Sequence, residues 1–313
     1  MIRIGVVNID TSHPLAFSAY FRQGDRARYA AVYNDSFRGD EEVEAFIRNH
    51  GLDKRCATIE ELADSVDVGF IQGVNWDKHV EQAQPFIDRG KPVFIDKPIV
   101  GNIADCGKVE ALAAAGAVIL GSSSLRYVKE TTDFLAIPVE ERGEIVNVYA
   151  TSGVNDFDYA IHAAETIGGL LGPGAVSVTC CGCGEVGGAR SETYFVRLDS
   201  GQSAVYNLCI GVWQPFEVVI TTTKSTYQYC VDTGIIYHPM LDLVCDAVKT
   251  GAPFIVPVPD ITESVKILLA GRISRERGGA TVALAEIPDD DPGFDGAAFQ
   301  DHYAAKTTKM YLR

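Results

Sequence analysis

The chain has 313 residues, of which 47% are apolar and 22% charged, and its formal net charge is −15. This composition supports a sizeable buried core and about two domains of ordinary size. The acidic balance argues against nucleic acid and anionic membrane surfaces as partners, because both call for basic patches, and no run of about 18 apolar residues marks a membrane span.

Met1 to Val7 passes straight into a strand pattern, which predicts a cytoplasmic protein without a secretion signal. The eight cysteines are then expected to be reduced. Cys180, Cys181 and Cys183 cluster in a run that reads as a strand, where neighbouring side chains point to opposite faces. No second Cys pair and no His pair at ligand spacing accompanies them. They are read as core packing, and no metal site is expected.

Ile4 to Val7 is a short apolar run of the kind found in buried parallel strands. Asn8 to Pro14 forms a loop, and Leu15 to Arg22 has helical spacing. A second strand, Ala30 to Tyr33, ends at Asn34 and Asp35. The helix Glu41 to His50 closes on Gly51. Thr58, with Glu61 three residues on, is a capping box opening another helix. Strand Val66 to Ile71, helix Asn75 to Arg89, strand Val93 to Ile95, helix Ile103 to Ala115 and strand Val118 to Leu120 continue the alternation. This order predicts βαβ units and a parallel sheet, most naturally a doubly wound nucleotide-binding α/β fold.

In such sheets, ligands bind beyond the carboxyl ends of the strands. Asp35 stands at one such end, where a carboxylate accepts from a ribose 2′-hydroxyl and repels a 2′-phosphate. That favours NAD over NADP, although Asp is also a common turn residue there. The first loop is irregular: Asn8, Asp10 and His13 occupy the three places where the dinucleotide fingerprint has glycine. Thr11 and Ser12 offer hydroxyls, and the helix start is itself an anion site. Asp96, Lys97 and Pro98 follow the strand Val93 to Ile95. Proline restricts the residue before it, so Lys97 is held at a strand end and is a candidate for chemistry.

The run Asp67-Val-Gly-Phe-Ile-Gln-Gly-Val-Asn-Trp-Asp-Lys-His79, then Ala83, then Arg89-Gly-Lys-Pro-Val-Phe-Ile-Asp-Lys-Pro98 resembles the glucose-fructose oxidoreductase / inositol dehydrogenase / rhizopine-catabolism (Gfo/Idh/MocA) family. The family has Glu-Lys-Pro where this chain has Asp96, one methylene shorter. Arg126 and Tyr127 look like the segment that enters the family's second domain. Asp158-Tyr-Ala-Ile-His162 is similar to its Asp-x-x-x-His motif. The resemblance implies a Rossmann domain over residues 1–123, then an α+β substrate-binding and oligomerisation domain over 124–313, with an open, mostly antiparallel sheet. It implies an NAD(P)-dependent oxidoreductase acting on a hydroxyl or carbonyl of a sugar, cyclitol or related polyol. It places Asn75, His79, Asp96 and Lys97 with the cofactor, and Lys97, Arg126, Tyr127, Asp158 and His162 with the substrate. A homodimer or homotetramer through the open sheet is expected.

Asp158 and His162 are four apart on a predicted helix running to Leu171 and would share a face. A carboxylate beside an imidazole raises its basicity. His162 is therefore read as the catalytic base, Asp158 as its orienting group, and Lys97 as the donor to the reacting oxygen. Strands are predicted at Glu144–Ala150, Ala175–Cys181, Tyr194–Leu198, Ser203–Ile210, Phe216–Thr222 and Ser225–Val231, and helices at Leu241–Lys249 and Ile261–Arg275. The tail, Glu286 to Arg313, has little periodicity and reads as an extension docked by Phe294, Phe299 and Tyr303, packing back on the first domain. Two other readings stay open. One is a sugar-binding or regulatory scaffold with weakened NAD binding. The other is a redox-neutral enzyme with tightly held NAD.

Overall fold

Six short strands build the first sheet in a computed structural model that describes residues 1–307 and 310–312. They are β1 (Ile2–Val7), β2 (Ala27–Tyr33), β3 (Lys54–Arg55), β4 (Val68–Ile71), β5 (Val93–Ile95) and β6 (Ile119–Gly121). All are parallel, in the order β3-β2-β1-β4-β5-β6. The connecting helices are α1 (His13–Phe21), α2 (Asp40–His50), α3 (Ile59–Ser65), α4 (His79–Ile87) and α5 (Ile103–Ala114). β4, β5 and β6 are apolar throughout because both faces are covered, whereas β1 and β2 each carry an arginine and the edge strand β3 is Lys54-Arg55. Ile4, Val6, Phe70 and Phe94 pack with α1 and α2, whereas Val7, Ile71, Val93 and Ile95 pack with α3, α4 and α5. The order reverses between β1 and β4, which is the switch point where such sheets take their ligands.

Local chemistry sets several boundaries. Thr58 Oγ1 accepts from the Glu61 amide, as the capping box requires, while the Glu61 carboxylate accepts from the amide of Ala57. Gly51 ends α2 at φ 70°. A turn of 3-10 helix, Trp76–Lys78, precedes α4.

The second half adds α6 (Lys129–Ala136), α7 (Val139–Arg142), β7 (Ile145–Val154), α8 (Ala160–Leu171), β8 (Ala175–Val186), β9 (Ala189–Leu198), β10 (Ser203–Ile210), β11 (Glu217–Thr222), β12 (Thr226–Cys230), α9 (His238–Thr250), α10 (Val258–Glu276) and β13 (Val282–Ala283). Its sheet runs β12-β11-β7-β10-β9-β8-β13 and is antiparallel except at β7 and β10. Val148, Val196, Tyr206, Leu208 and Ile220 face α8 and α10, in a core continuous with that of α3 to α5. On the same sheet, Val146 and Val176 are each 45% exposed. No helix among the described residues is long and apolar enough to cross a membrane.

Helix α9 covers the first sheet: Met240, Leu241, Val244 and Cys245 pack with Ile4, Phe17 and Phe21. Two outcomes differ from the sequence reading. The tail contains a regular helix, α11 (Gly296–Lys306), with Asp295 capping it through the amide of Ala298; residues 308, 309 and 313 of the tail lie outside the described residues. Of the clustered cysteines, Cys180 is buried but Cys181 and Cys183 are exposed on β8, so only the first is core packing.

Candidate active site

The carboxyl ends of β1, β4 and β5 converge on a cleft of about 70 Å³ lined by Thr11, His13, Gly73, Lys97, Asp158 and Tyr303 among others. β5 delivers Asp96 and Lys97. The Asp96 carboxylate takes the Lys97 amide on Oδ1 (2.8 Å) and meets His13 Nδ1 on Oδ2 at 2.7 Å. Burial opposes charge on Asp96, but His13 and Lys97 beside it hold the carboxyl below its usual range. The peptide between Lys97 and Pro98 is cis. The Lys97 ammonium donates to Asp158 Oδ1 at 2.8 Å and to the Asp158 carbonyl at 3.0 Å, and it lies 5.3 Å from the centre of the Tyr159 ring. An ammonium has three donors, so one is left for a ligand.

His162 lies deeper, on α8. Its Nδ1 meets Ser123 Oγ at 2.6 Å. Burial, together with Lys97 and His13 nearby, holds its imidazole well below the usual histidine range, so it is neutral at physiological pH.

The first loop replaces its glycines in a physically legible way. Asn8 adopts φ 65°, the left-handed conformation that Asn tolerates better than most residues. Its side chain exchanges two hydrogen bonds with Asp35, one from Nδ2 to Oδ1 and one from the Asp35 amide to Oδ1 of Asn8, both 2.9 Å. Asp10 turns inward: Oδ2 accepts from the Val74 amide at 2.9 Å. Burial pushes the Asp10 carboxyl up to about 6. A Cβ on Gly73 would stand 3.2 Å from Asn8 Nδ2, so glycine lets the two loops meet. Beside Asp35 a second cavity of about 340 Å³ opens, lined by Tyr33, Thr58, Lys78 and Gln82.

Residues 2–123 match the Gfo/Idh/MocA family, described as an oxidoreductase family with an NAD-binding Rossmann fold. No curated protein matches the chain in sequence. In fold it is similar to a probable dehydrogenase from Thermotoga maritima, with a TM-score of 0.78 at 17% identity over 92% of this chain and 100% of that one. It is also similar to myo-inositol dehydrogenase from Lactobacillus casei in complex with NAD(H) and myo-inositol, with a TM-score of 0.78 at 15% identity over 90% and 96% of the two chains. The scyllo-inositol dehydrogenase of the same organism, with NAD(H) and scyllo-inositol, gives a TM-score of 0.76 at 14% identity over 91% and 99%.

A dinucleotide of the kind that the match over residues 2–123 implies fits the polar groups present. Two buried side-chain atoms without a hydrogen-bond partner among the described residues belong to residues that line these openings: Gln72 Nε2 at the cleft and Gln82 Oε1 at the cavity beside Asp35. Unmet buried polar groups are costly, and openings that hold them suit a polar ligand or water.

The motif residues divide into two sets. Thr11, Ser12, His13, Asp96, Lys97 and Asp158 line the cleft, and Asn8 and Asp10 support its loop. Four others serve the scaffold instead. His79 is buried with both ring nitrogens on carbonyls, Ile99 at 3.1 Å and Gly73 at 3.0 Å, and so does not face the cleft. Asn75 caps the 3-10 turn through the Asp77 amide. Arg126 is buried against Glu165, and Tyr127 bonds to Ser122 and the Gly121 carbonyl. The expected contact of Asp158 with His162 is absent: α8 starts at Ala160, which leaves Asp158 before the helix and paired to Lys97. Ser123 partners His162 instead. Sequence reasoning assigned no role to Arg38, which donates to the Asp10 carbonyl at 2.7 Å, or to Gln72 and Tyr159. The aromatic in the Asp-x-x-x-His run was the one signal available for Tyr159.

Proposed function

We propose that the protein is an NAD-dependent dehydrogenase or reductase acting on a hydroxyl or carbonyl of a sugar, cyclitol or related polyol. The observation that carries this reading is Lys97, held at the cleft wall by Asp158 with one ammonium donor free. The inositol complexes of proteins with this fold support the substrate class. Asp35, at the rim of the 340 Å³ cavity, supports NAD over NADP. Thr11, Ser12, Asp35 and Gln82 would hold the dinucleotide on a loop shaped by Asn8 and Asp10, and a bound nicotinamide would supply the hydride acceptor.

Lys97 donates to the substrate oxygen and stabilises the negative charge that develops there. Asp158 fixes the ammonium. His162, neutral, accepts the hydroxyl proton. Residues 1–123 act as the cofactor unit and 124–313 as the substrate unit, in a cytoplasmic dimer or tetramer. Calorimetry tests the cofactor: NAD should bind in the micromolar range and NADP more weakly. Lys97→Met should lower turnover by about 10²-fold while unfolding like the wild type. Full activity in that variant removes Lys97 from the chemistry. Failure to bind either nucleotide favours a sugar-binding scaffold, and co-purified nucleotide favours the redox-neutral enzyme.

A further inference from the structure

The last described residues cross the mouth of the crevice. After Ile287 the chain meets, in turn, each loop that follows a strand at the switch point. The Phe294 amide donates to the Gly101 carbonyl beyond β5, at 3.0 Å. The Phe294 carbonyl then accepts from Trp76 Nε1 at 2.6 Å, and its ring stacks on Phe157 at 4.0 Å. In the loop beyond β4, Asp77 Oδ2 accepts from the amides of Gly296 (2.9 Å) and Ala297 (3.2 Å), the first turn of α11. Phe299 lies on Trp76 with ring centres 5.0 Å apart. One turn on, Tyr303 lines the cleft beside Lys97 and Asp158, and its ring is 6.3 Å from Phe37 in the loop beyond β2. Finally Tyr311 donates to the Thr11 carbonyl in the loop beyond β1, at 2.5 Å, with the Arg38 guanidinium 5.5 Å from its ring centre.

Two further facts bear on this crossing. The cleft under Tyr303 measures about 70 Å³, room for roughly two waters, whereas small-molecule and cofactor sites run from about 300 to 1,000 Å³. The cavity at Asp35, at the other end of the same crevice, is already about 340 Å³. And α11 is held loosely, because only Gly296 of its eleven residues is buried. Elements with few buried contacts open at the lowest cost.

We propose that residues 288–307 and 310–312 form a strap that closes the nicotinamide end of the crevice and lifts before that half of a dinucleotide can enter, while the adenosine end stays open. The proposal rests on the dinucleotide reading above. Binding of NAD is then reduced by the fraction of molecules with the strap raised, and binding of AMP is not.

The test uses the full chain and two probes, AMP and NAD, titrated by calorimetry into the wild type and Phe299→Ala. That substitution removes one partly exposed ring of the strap, which packs on Trp76 at the edge of the core. AMP should bind both proteins equally, and NAD should bind the variant several-fold more tightly. Hydrogen exchange on the wild type needs no variant: saturating NAD should speed exchange at the amides of residues 296–306, and AMP should not. NAD binding with equal affinity to both proteins, or with slowed exchange in α11, overturns the strap while sparing the cofactor reading. Absence of AMP and NAD binding to both proteins overturns the cofactor reading, and the strap with it.

Discussion

Asp10 shows how a single residue can be wrong for a motif and still be accommodated. A carboxylate in a phosphate loop opposes an anionic ligand, but here it points inward to the Val74 amide and is fully buried, with its carboxyl pushed up to about 6 from an ordinary value near 3.8. The fold therefore binds this proton more tightly than the unfolded chain does. The stability Asp10 contributes is complete below its ordinary range and is lost as pH rises through about 6. Asp10→Asn removes that loss, so its stability relative to the wild type should increase by about 3 kcal/mol between about pH 3 and about pH 8. Urea denaturation of both proteins at the two pH values measures it, and an unchanged difference would contradict the burial argument. Lys97 was legible from the strand before it and the proline after it. The His13 contact with Asp96 was not, because it joins residues 83 apart in the chain.

Elements are held to one another by a few buried polar ties, and Arg126 is the centre of one. It sits in the 3-10 turn Ser124–Arg126 and bonds to Glu165 on α8 and to the Asp260 carbonyl and Ser264 on α10. Gly168 and Gly169 let it approach: a Cβ on Gly168 would stand 2.5 Å from its guanidinium, and one on Gly169 2.9 Å from its carbonyl. Removing one member of a buried ion pair strands the other. Glu165→Gln should therefore cost about 3–5 kcal/mol in urea unfolding, with NAD affinity little changed. A loss under about 1 kcal/mol would mean that Arg126 finds another acceptor. Helix periods and caps were readable, as at Thr58 and Gly51. The start of α8 was not: moving it from Asp158 to Ala160 takes the carboxylate off the helix face, and the partner of His162 becomes Ser123 from a distant turn.

On the scale of the whole molecule, the chain returns to its first sheet twice after leaving it. α9 covers β1, β4 and β5 beside α1, anchored where the Tyr20 hydroxyl donates to Asp242 at 2.5 Å. α11 then crosses the cleft. The second sheet buries only the face against α8 and α10, and Val146 and Val176 remain 45% exposed. A sheet face left uncovered in water favours a partner. Light scattering should give a mass two or four times the 33.8 kDa of one chain, and a monomer at micromolar concentration would remove the open-sheet assembly.

By itself the sequence determined the alternation of buried strands and helices, the parallel first sheet, the lysine at the end of β5 and the family that its motifs resemble. Each of these rests on local periodicity or on residues a few places apart. The tertiary structure alone decided that Asp158 pairs with Lys97 rather than His162, that Arg126 ties the turn before α6 to α8 and α10, and that α11 lies across the cleft. Those outcomes depend on contacts between residues tens to hundreds of places apart. Such contacts are set by how whole elements pack, which composition and spacing do not encode.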